Sequence, residues 1–527
     1  MIWIRFLVML AAATALGWRL LRVAQREHYV AGSIATTLGR WCRVAPLNLA
    51  APVAAALAIG IALGVGNRRL SGVGEPGWAA VLSCALLAAW PFGLRGLRGS
   101  PRLRWTARVV RVAVLSTLIA AAVGAAVWAV GEWLLDTGIR GEVAVALVIV
   151  TLPAWIELAL WVAKPLEARL LLKYVRPADK KLRSLAPEVV AITGSFGKTS
   201  VKEHVRDLVG RTRQTTASPA SFNNQAGLAR TVNDHLEAGT EVLVCEMGTY
   251  GRGEIAEMCR WVRPRVAAIT RIGPVHLERM KSLKAIRDAK AEIFEGAEVA
   301  VLNVDDPLLA ALVEVLSGTG RVIRTATASD SGADVVVCPD AEGSTIIVSG
   351  VTVAEGVAVP EGVHPSNVAV ALGIALALGV PVDQRMTAAI GTLMPPSHRL
   401  DAAANGAGVV VLDDTFNSNP TGAAAAVAAL MRSGDASGRK VVVTPGMVEL
   451  GSVQAEENRR LGALVAEAGA ELVVVGRVNR KALVAGYDSA GSPVVVGDRA
   501  EAVAWVREHL GAGDAVLYEN DLPDHYP

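Results

Sequence analysis

Residues 187–203 read PEVVAITGSFGKTSVKE: a short apolar run, a turn at Gly194-Ser195-Phe196-Gly197, then the start of a helix at Lys198-Thr199-Ser200. Phosphate binding needs that order. Glycines let the backbone approach an anion, N–H groups and a helix N-terminus face it, Lys198 adds a cation, and the Thr199 hydroxyl can ligate magnesium. The loop is shorter than the general G-x-x-x-x-G-K-[ST] pattern, and the competing reading is a plain strand-to-helix turn with a chance GKT. Strand, glycines, lysine and hydroxyl together favour a nucleotide-phosphate loop made by Gly194, Ser195, Gly197, Lys198, Thr199 and Ser200.

Outward from the loop, β-like runs (VVAIT, VLVCE, VAAIT, VAVLN) alternate with helical patterns from 187 to about 390. That alternation predicts a mostly parallel sheet with helices on both faces, an α/β fold. The Val-, Thr- and Gly-rich segment 321–360 reads as a small antiparallel insertion. From 401 onward VVVLDD, KVVVTPG, LVVVGR, PVVVGD and AVLYEN are separated by helices, which predicts a second, Rossmann-like domain over 401–527.

The first third is different in kind. Apolar stretches at 2–21, 46–65, 78–94, 112–135 and 142–163 are each near the roughly 20 residues needed to cross a bilayer, and the mean hydropathy of the whole chain is +0.40. Five arginines lie at the end of the first stretch and after it (Arg19, Arg22, Arg26, Arg40, Arg43), two follow the second, six the third and one the fourth, and seven Lys/Arg lie between the fifth and residue 187. High, low, high, low, high is the positive-inside pattern for an outside N-terminus and five crossings, placing the remaining chain in the cytoplasm. The domain plan is therefore a helical membrane domain over 1–164, a basic connector over 165–186, a nucleotide domain over 187–400 and a last domain over 401–527.

Charge divides the same way. Residues 1–183 carry 22 Lys/Arg against 8 Asp/Glu (+14), and the other 344 carry 30 against 41 (−11). An acidic soluble half argues against a nucleic-acid partner, while the arginine-rich loops suit anionic headgroups or a phosphorylated, lipid-linked substrate. The five cysteines form no CxxC pair, which fits reduced thiols. Glu157, inside a predicted span, is either functional or a snorkelling acid near the cytoplasmic end.

Glu246 ends the run VLVCE. A carboxylate at the carboxyl end of a parallel strand faces the ligand crevice and can bind the magnesium that Thr199 touches. Arg399 and Asp414 flank the passage into the last domain, where a guanidinium can clasp phosphate and a carboxylate can accept ribose hydroxyls; Asp413 competes for the second role.

The blocks SFNNQAGLARTVNDHL, VLVCEMGTYGRGEIAEM, AAITRIGPVHLERMKSLKAIRDAKAEIFEG, HPSNVAVALGIALALG, SHRLD, VLDDTFNSNP and VTPGMVELGS follow the loop in that order. In content and order they resemble the Mur ligase superfamily, and within it the ligases that add D-Ala-D-Ala to the peptidoglycan precursor. The resemblance covers about 187–520. It implies ATP and two magnesium ions with Glu246 and His276 as ligands, a Lys290 carbamylated by CO2, Asn223 and Asn224 reaching the γ-phosphate and the acceptor carboxylate, Asn367 contacting adenine, and Arg399 and Asp414 on phosphate and ribose. It implies an ATP-dependent carboxylate–amine ligase working through an acyl phosphate. The chain departs from the family in the membrane region, which stands where the UDP-sugar domain is usual, and in its terminal AVLYENDLPDHYP. The acceptor therefore need not be UDP-MurNAc-tripeptide, nor the amine D-Ala-D-Ala. Two other readings compete: a poly-amino-acid synthase with the same chemistry, and a P-loop ATPase driving transport, against which stands the lack of an LSGGQ-type signature.

Overall fold

The computed structural model describes residues 2–67, 77–94, 103–134, 140–219, 222–318, 320–394, 401–404, 408–415, 418–522 and 526. Two compact units divide it: Met1–Leu170 with Gly476–Val478 and Leu522–Pro527, and Leu171–Val475 with Asn479–Asp521.

The first unit is helical: α1 (Ile2–Arg26), α2 (Ser33–Val44), α3 (Leu47–Asn67), α4 (Gly77–Ala88), α5 (Ala107–Leu134), α6 (Arg140–Val150) and the opening half of α7 (Leu152–Leu185). By length and composition Trp3–Arg26 and Ala107–Val130 can each cross a membrane, and the number rises to four if the bent pairs Ser33–Val44 with Leu47–Gly60 and Ala144–Val150 with Leu152–Leu185 each count as one span. Five stretches were expected, and the third accounts for the difference. Its helix, α4, stops after 12 residues, two short of Trp90-Pro91; that is about 18 Å of helix against a hydrocarbon core of roughly 30 Å.

The carbonyls left open where α4 ends are taken up inside the unit. Arg19 donates to the carbonyls of Ala88 (3.3 Å), Pro91 (3.0 Å) and Leu94. Asn48 accepts from Phe92 N at 2.6 Å and donates to Phe92 O at 3.3 Å, and Trp90 Nε1 donates to Asn48 O at 2.8 Å. Buried irregular backbone is tolerated when satisfied in this way. Contacts also fix helix directions: Arg5 lies over Trp78 while Arg19 meets 88–94, so α1 and α4 run parallel. Asn48 meets Trp90 and Ser83 donates to Ala55 O, so α3 runs against α4. Gln25 accepts from Arg104 N and Arg111 binds Glu167 bidentately at 2.7 and 2.9 Å, setting the start of α5 beside the end of α1 and the later turns of α7. Glu157 is neither free nor snorkelling: its carboxylate accepts from the backbone N–H of Gly32, Ile34 and Ala35, capping α2 at the end where the helix dipole favours an anion.

The second unit holds two sheets. Strands β1 (Glu188–Thr193), β2 (Thr215–Ala217), β3 (Val242–Glu246), β4 (Val266–Ile269), β5 (Val299–Asn303), β6 (Arg321–Ala326), β7 (Val335–Asp340), β8 (Gly343–Val348) and β9 (Val351–Ala354) pair in the order β2-β3-β1-β4-β5-β6-β7-β8-β9. β1 through β6 are parallel, and the apolar runs of the central strands β1, β3, β4 and β5 are buried on both faces, as a helix-covered parallel sheet requires. The antiparallel insertion expected over 321–360 is smaller than that: β6 pairs parallel with β5 because a helical crossover ending at Ser317 returns the chain, β7 pairs parallel with β6, and the antiparallel pairs are β7–β8 and β8–β9. The end of α7 (Val175, Ala178, Leu182) is buried against one face. The second sheet comprises β10 (Asp401–Ala404), β11 (Val410–Asp414), β12 (Lys440–Thr444), β13 (Glu471–Val475), β14 (Val494–Val496) and β15 (Ala515–Glu519), ordered β10-β11-β15-β12-β13-β14 and parallel except at β10.

Candidate functional site

The 187–203 stretch folds as read: β1, a glycine turn, then helix α8 (Lys198–Val209). Gly194 and Gly197 have φ of +155° and +78°, and neither leaves room for a side chain. A Cβ on Gly194 would sit 1.9 Å from Thr270 Oγ1, and one on Gly197 2.4 Å from Asn367 Oδ1. Asn367, in the first turn of the helix Pro365–Ala377, is thus pressed against the loop. His364, three residues before Asn367, caps that helix, its Nδ1 accepting from Ser366 N at 3.3 Å.

β1 and β3 are in register Ile192↔Glu246, so the loop and Glu246 leave the sheet at one edge. Thr199 Oγ1 donates to Glu246 Oε2 at 2.9 Å and Asn223 Nδ2 to Glu246 Oε1 at 3.2 Å. Gly248 has no side chain to displace Asn223, whose amide would lie 3.1 Å from a Cβ there. The two asparagines part company here: Asn224 is the N-cap of Gln225–Arg230, accepting from Gly227 N at 2.9 Å, and is committed to the helix. Ser195 is likewise engaged, its N–H on Arg271 O at 2.7 Å and its hydroxyl on Gly273 O at 3.1 Å.

Lys198 Nζ and Lys290 Nζ donate to the same carbonyl, Gly194 O, at 2.9 and 3.0 Å. Lys290 is only 3% exposed. Burial, and then the neighbouring Lys198 charge, push its ammonium well below the usual lysine range. Lys202, one turn along α8, belongs to none of the motifs read from the sequence. It is fully buried, 3.5 Å from Glu246 Oε2 and 3.3 Å from Glu203 Oε1.

His276 has φ +59° and its Nδ1 lies 2.5 Å from Glu449 Oε2, with the Tyr250 ring edge-on at 4.8 Å. The ligand set proposed by resemblance is therefore present in parts: Thr199, Glu246 and Asn223 meet, Lys198 and Lys290 meet, and His276 pairs with Glu449. Among the described residues no group of three His, Cys, Asp or Glu side chains is placed to hold a metal. The Thr199–Glu246 pair nevertheless fits magnesium, which takes hard oxygen donors and usually only one or two carboxylates beside substrate phosphates and water.

A cavity of about 580 Å³ opens beside the loop, bounded by Gly197, Ser200 and Asn367 on one side and Asp414, Ser418 and Asn419 on the other. Asp414 lines it, whereas Asp413 turns back to accept from Thr415 N and Oγ1 at 3.1 and 2.6 Å, which separates the two candidates. Arg399 lies outside the described residues.

Behind the cavity wall, Glu519 pairs in register with Asp414 and is fully buried. It accepts from the Ser418 hydroxyl, and from Thr444 Oγ1 at 2.6 Å. Burial, with help from Asp414 and against the two hydroxyls, pushes its carboxyl from 4.5 up to about 7. The unfolded chain releases this proton near 4.5 and the folded chain near 7, so stability from this group is whole below the lower value and falls as pH rises to the upper one. Glu519→Gln is expected to raise the melting temperature at pH 8 and leave it little changed at pH 4.5, with a ceiling of about 3 kcal/mol. Thermal melts at the two pH values check it.

The Mur ligase middle domain matches residues 192–375, and the Mur ligase glutamate ligase domain matches 398–518. UDP-N-acetylmuramoyl-tripeptide--D-alanyl-D-alanine ligase of Mycobacterium tuberculosis is 30% identical over 379 residues, 62% of this chain and 69% of that one. MurF from Acinetobacter baumannii superposes with a TM-score of 0.56 at 26% identity, over 67% of this chain and 77% of its own. MurF from Thermotoga maritima, in complex with ADP, gives 0.55 at 25% identity, over 67% and 80%. On its loop, its two sheets and these likenesses, the chain belongs to the Mur ligase family of ATP-dependent amide ligases.

Proposed function

We propose that the chain is a membrane-anchored ligase that uses ATP to join a substrate carboxylate to an amine, acting in peptidoglycan-related envelope synthesis on a lipid-linked or membrane-delivered acceptor. The observation that carries the chemistry is the convergence of Lys198, Lys290, Thr199, Glu246 and Asn223 on one sheet edge beside a nucleotide-sized cavity. The carboxylate oxygen attacks the γ-phosphorus of ATP, the bond to the bridging oxygen breaks and ADP leaves. The amine nitrogen then bonds the acyl carbon, the carbon–oxygen bond to phosphate breaks, and phosphate and a proton depart.

Carboxylate and triphosphate repel, so the protein's task is alignment and charge neutralisation. The N–H groups around Gly197 and the Lys198 ammonium would hold the phosphates, Asn367 the base and Asp414 the ribose. Asn223 would orient the acceptor, and Arg399 would add a phosphate contact. Thr199 and Glu246 would hold magnesium, with His276 and a carbamylated Lys290 serving a second ion; when bound, these ions neutralise phosphate charge. The test is ADP release by the full-length protein in lipid nanodiscs, screened against UDP-linked and lipid-linked acceptors with amino acids and dipeptides. Release that needs both an acceptor and an amine supports the reading; release indifferent to both sinks it.

Membrane anchoring rests on the apolar helices and on their directions. α1, α3, α4, α5 and α7 alternate in direction, and a count of five, one more than helix length and composition alone allow, takes the 12-residue α4 together with the backbone held by Arg19 and Asn48 as one passage. An odd number of passages sets the N-terminus outside and the ligase domains in the cytoplasm, where ATP is, and agrees with the arginine distribution. A reporter fused after residue 527 is expected to read cytoplasmic; periplasmic alkaline phosphatase activity from that fusion would overturn the count.

A further inference from the structure

His276 and Glu449 are 173 residues apart, on turns that belong to different sheets. Both turns hold non-glycine residues at positive φ, +59° at His276 and +63° at Glu449, with Gly451 at +58° beside them. Such backbone is disfavoured and persists where surrounding contacts impose it. Here the contacts are mutual. Glu278 N donates to Glu449 O at 3.0 Å, a Cβ on Gly451 would lie 3.2 Å from Glu278 N, and the Glu449 carboxylate reaches His276 Nδ1 at 2.5 Å. Tyr250 packs its ring against the imidazole, and Arg279 lies over Tyr250 at 5.1 Å. Carboxylate and imidazole are both about three-quarters buried, so neither rotates freely.

From this interlock we infer that Glu449 is a positioning residue: its carboxylate, brought by the last domain, takes the Nδ1–H of His276 and so leaves Nε2 as the nitrogen whose lone pair can ligate a metal. A neutral imidazole carries one N–H, and the partner of that N–H selects the tautomer. The consequence is a coupling between domain docking and metal affinity. When the last domain is docked, His276 is held as a ligand; when it swings away, the ring loses its tautomer partner and its ligand strength. Metal would then be held most tightly in the closed enzyme, where water is excluded from the acyl phosphate. This inference rests on the reading of His276 as a metal ligand, and the experiment separates the two.

Mn2+ affinity is measured by electron paramagnetic resonance on the full-length protein saturated with AMPPNP, without turnover. Glu449→Ala is expected to weaken Mn2+ binding about 10-fold or more, the usual effect of losing a histidine's outer partner. His276→Ala should weaken it at least as much, and the double variant should be no weaker than His276→Ala alone. Additive losses in the double variant would overturn the proposal, because Glu449 would then act without His276. Unchanged binding in His276→Ala would remove the ligand reading itself; a loss in His276→Ala with none in Glu449→Ala removes only the role of Glu449. Should Glu449→Ala fail to fold, Glu449→Gln and Glu449→Asp decide. Glutamine keeps reach and an acceptor oxygen and is expected to retain affinity within about threefold, whereas the shorter aspartate should lose it. The reverse order would mean that charge alone matters, and would overturn the inference.

Discussion

Lys198→Ala is expected to lower the rate of ADP release about 10³-fold, with a much smaller rise in the KM for ATP. Removing one preorganised electrostatic donor from a transition state usually forfeits 10²–10³ in rate, and phosphoryl transfer sits at the high end because charge moves onto the transferring oxygens. Lys198 is well placed for that part: it opens α8 and its ammonium is held by Gly194 O at 2.9 Å and Ser195 O at 3.5 Å, on the carbonyl side of the loop whose N–H groups face an anion. Ground-state ATP keeps the α8 N-terminus and the cavity, so binding falls less than turnover. Lys198 is also a cleaner probe than Glu246. Glu246→Ala would take from the fully buried Lys202 one of its two carboxylates, leaving Glu203 at 3.3 Å, and would also remove the acceptor of Thr199 and Asn223, so it disturbs several contacts at once. A dead Glu246→Ala enzyme could simply be a poorly folded one. Steady-state kinetics of Lys198→Ala beside a thermal melt within a few degrees of the parent makes the comparison; a loss under tenfold would remove Lys198 from the phosphate site.

What could be read from the sequence and what could not follows from how local each feature is. The phosphate loop and the strands feeding it are contiguous, and their Val/Ile/Ala runs between turn residues leave few alternatives to a buried parallel sheet. Glu246 could be placed because strand ends in such sheets face the ligand. Asn223 and Asn224 could not be told apart, since one loop carries both and only the fold shows which one caps the helix behind it. Lys202 was invisible for a related reason: in a charged helix a lysine is ordinarily solvated, and its burial depends on the strand lying alongside. Glu449 stood in the block VTPGMVELGS, but its partner is 173 residues away and no local spacing points to it. Hydropathy found five apolar stretches yet could not show that α4 ends early, because the device that permits the break is an arginine on α1 and an asparagine on α3. Glu157 was open between a functional and a snorkelling acid, and its capping of α2 was not legible because the N–H groups it accepts from lie more than 120 residues away.

Lys290→Ala is expected to lose at least 10²-fold in turnover and to recover part of it when short-chain carboxylic acids are added. The parent side chain is in an unusual position for a cation: buried, and sharing Gly194 O with the Lys198 ammonium. Two like charges on one carbonyl repel, and burial disfavours the charged form further, so the amine is driven toward neutrality. A neutral amine is the species that attacks CO2. On carbamylation the nitrogen–carbon bond would form, one proton would leave to water, and the side chain would become an anion that the Lys198 ammonium attracts. Alanine removes the nucleophile and the bulk of the side chain beside the Lys198 ammonium, a cation that acetate or propionate could pair with in place of the carbamate. The substitution should not unfold the protein, because it deletes a buried charge rather than stranding one. Three measurements bear on the idea together: turnover of Lys290→Ala with and without added acids, turnover of the parent in CO2-depleted buffer, and melts of both. Rescue with a CO2-sensitive parent is the expected pattern. No rescue, together with a parent indifferent to CO2, would discard the carbamate and leave Lys290 as a buried amine on Gly194 O, with the assignment of Lys198 untouched because that rests on its own substitution.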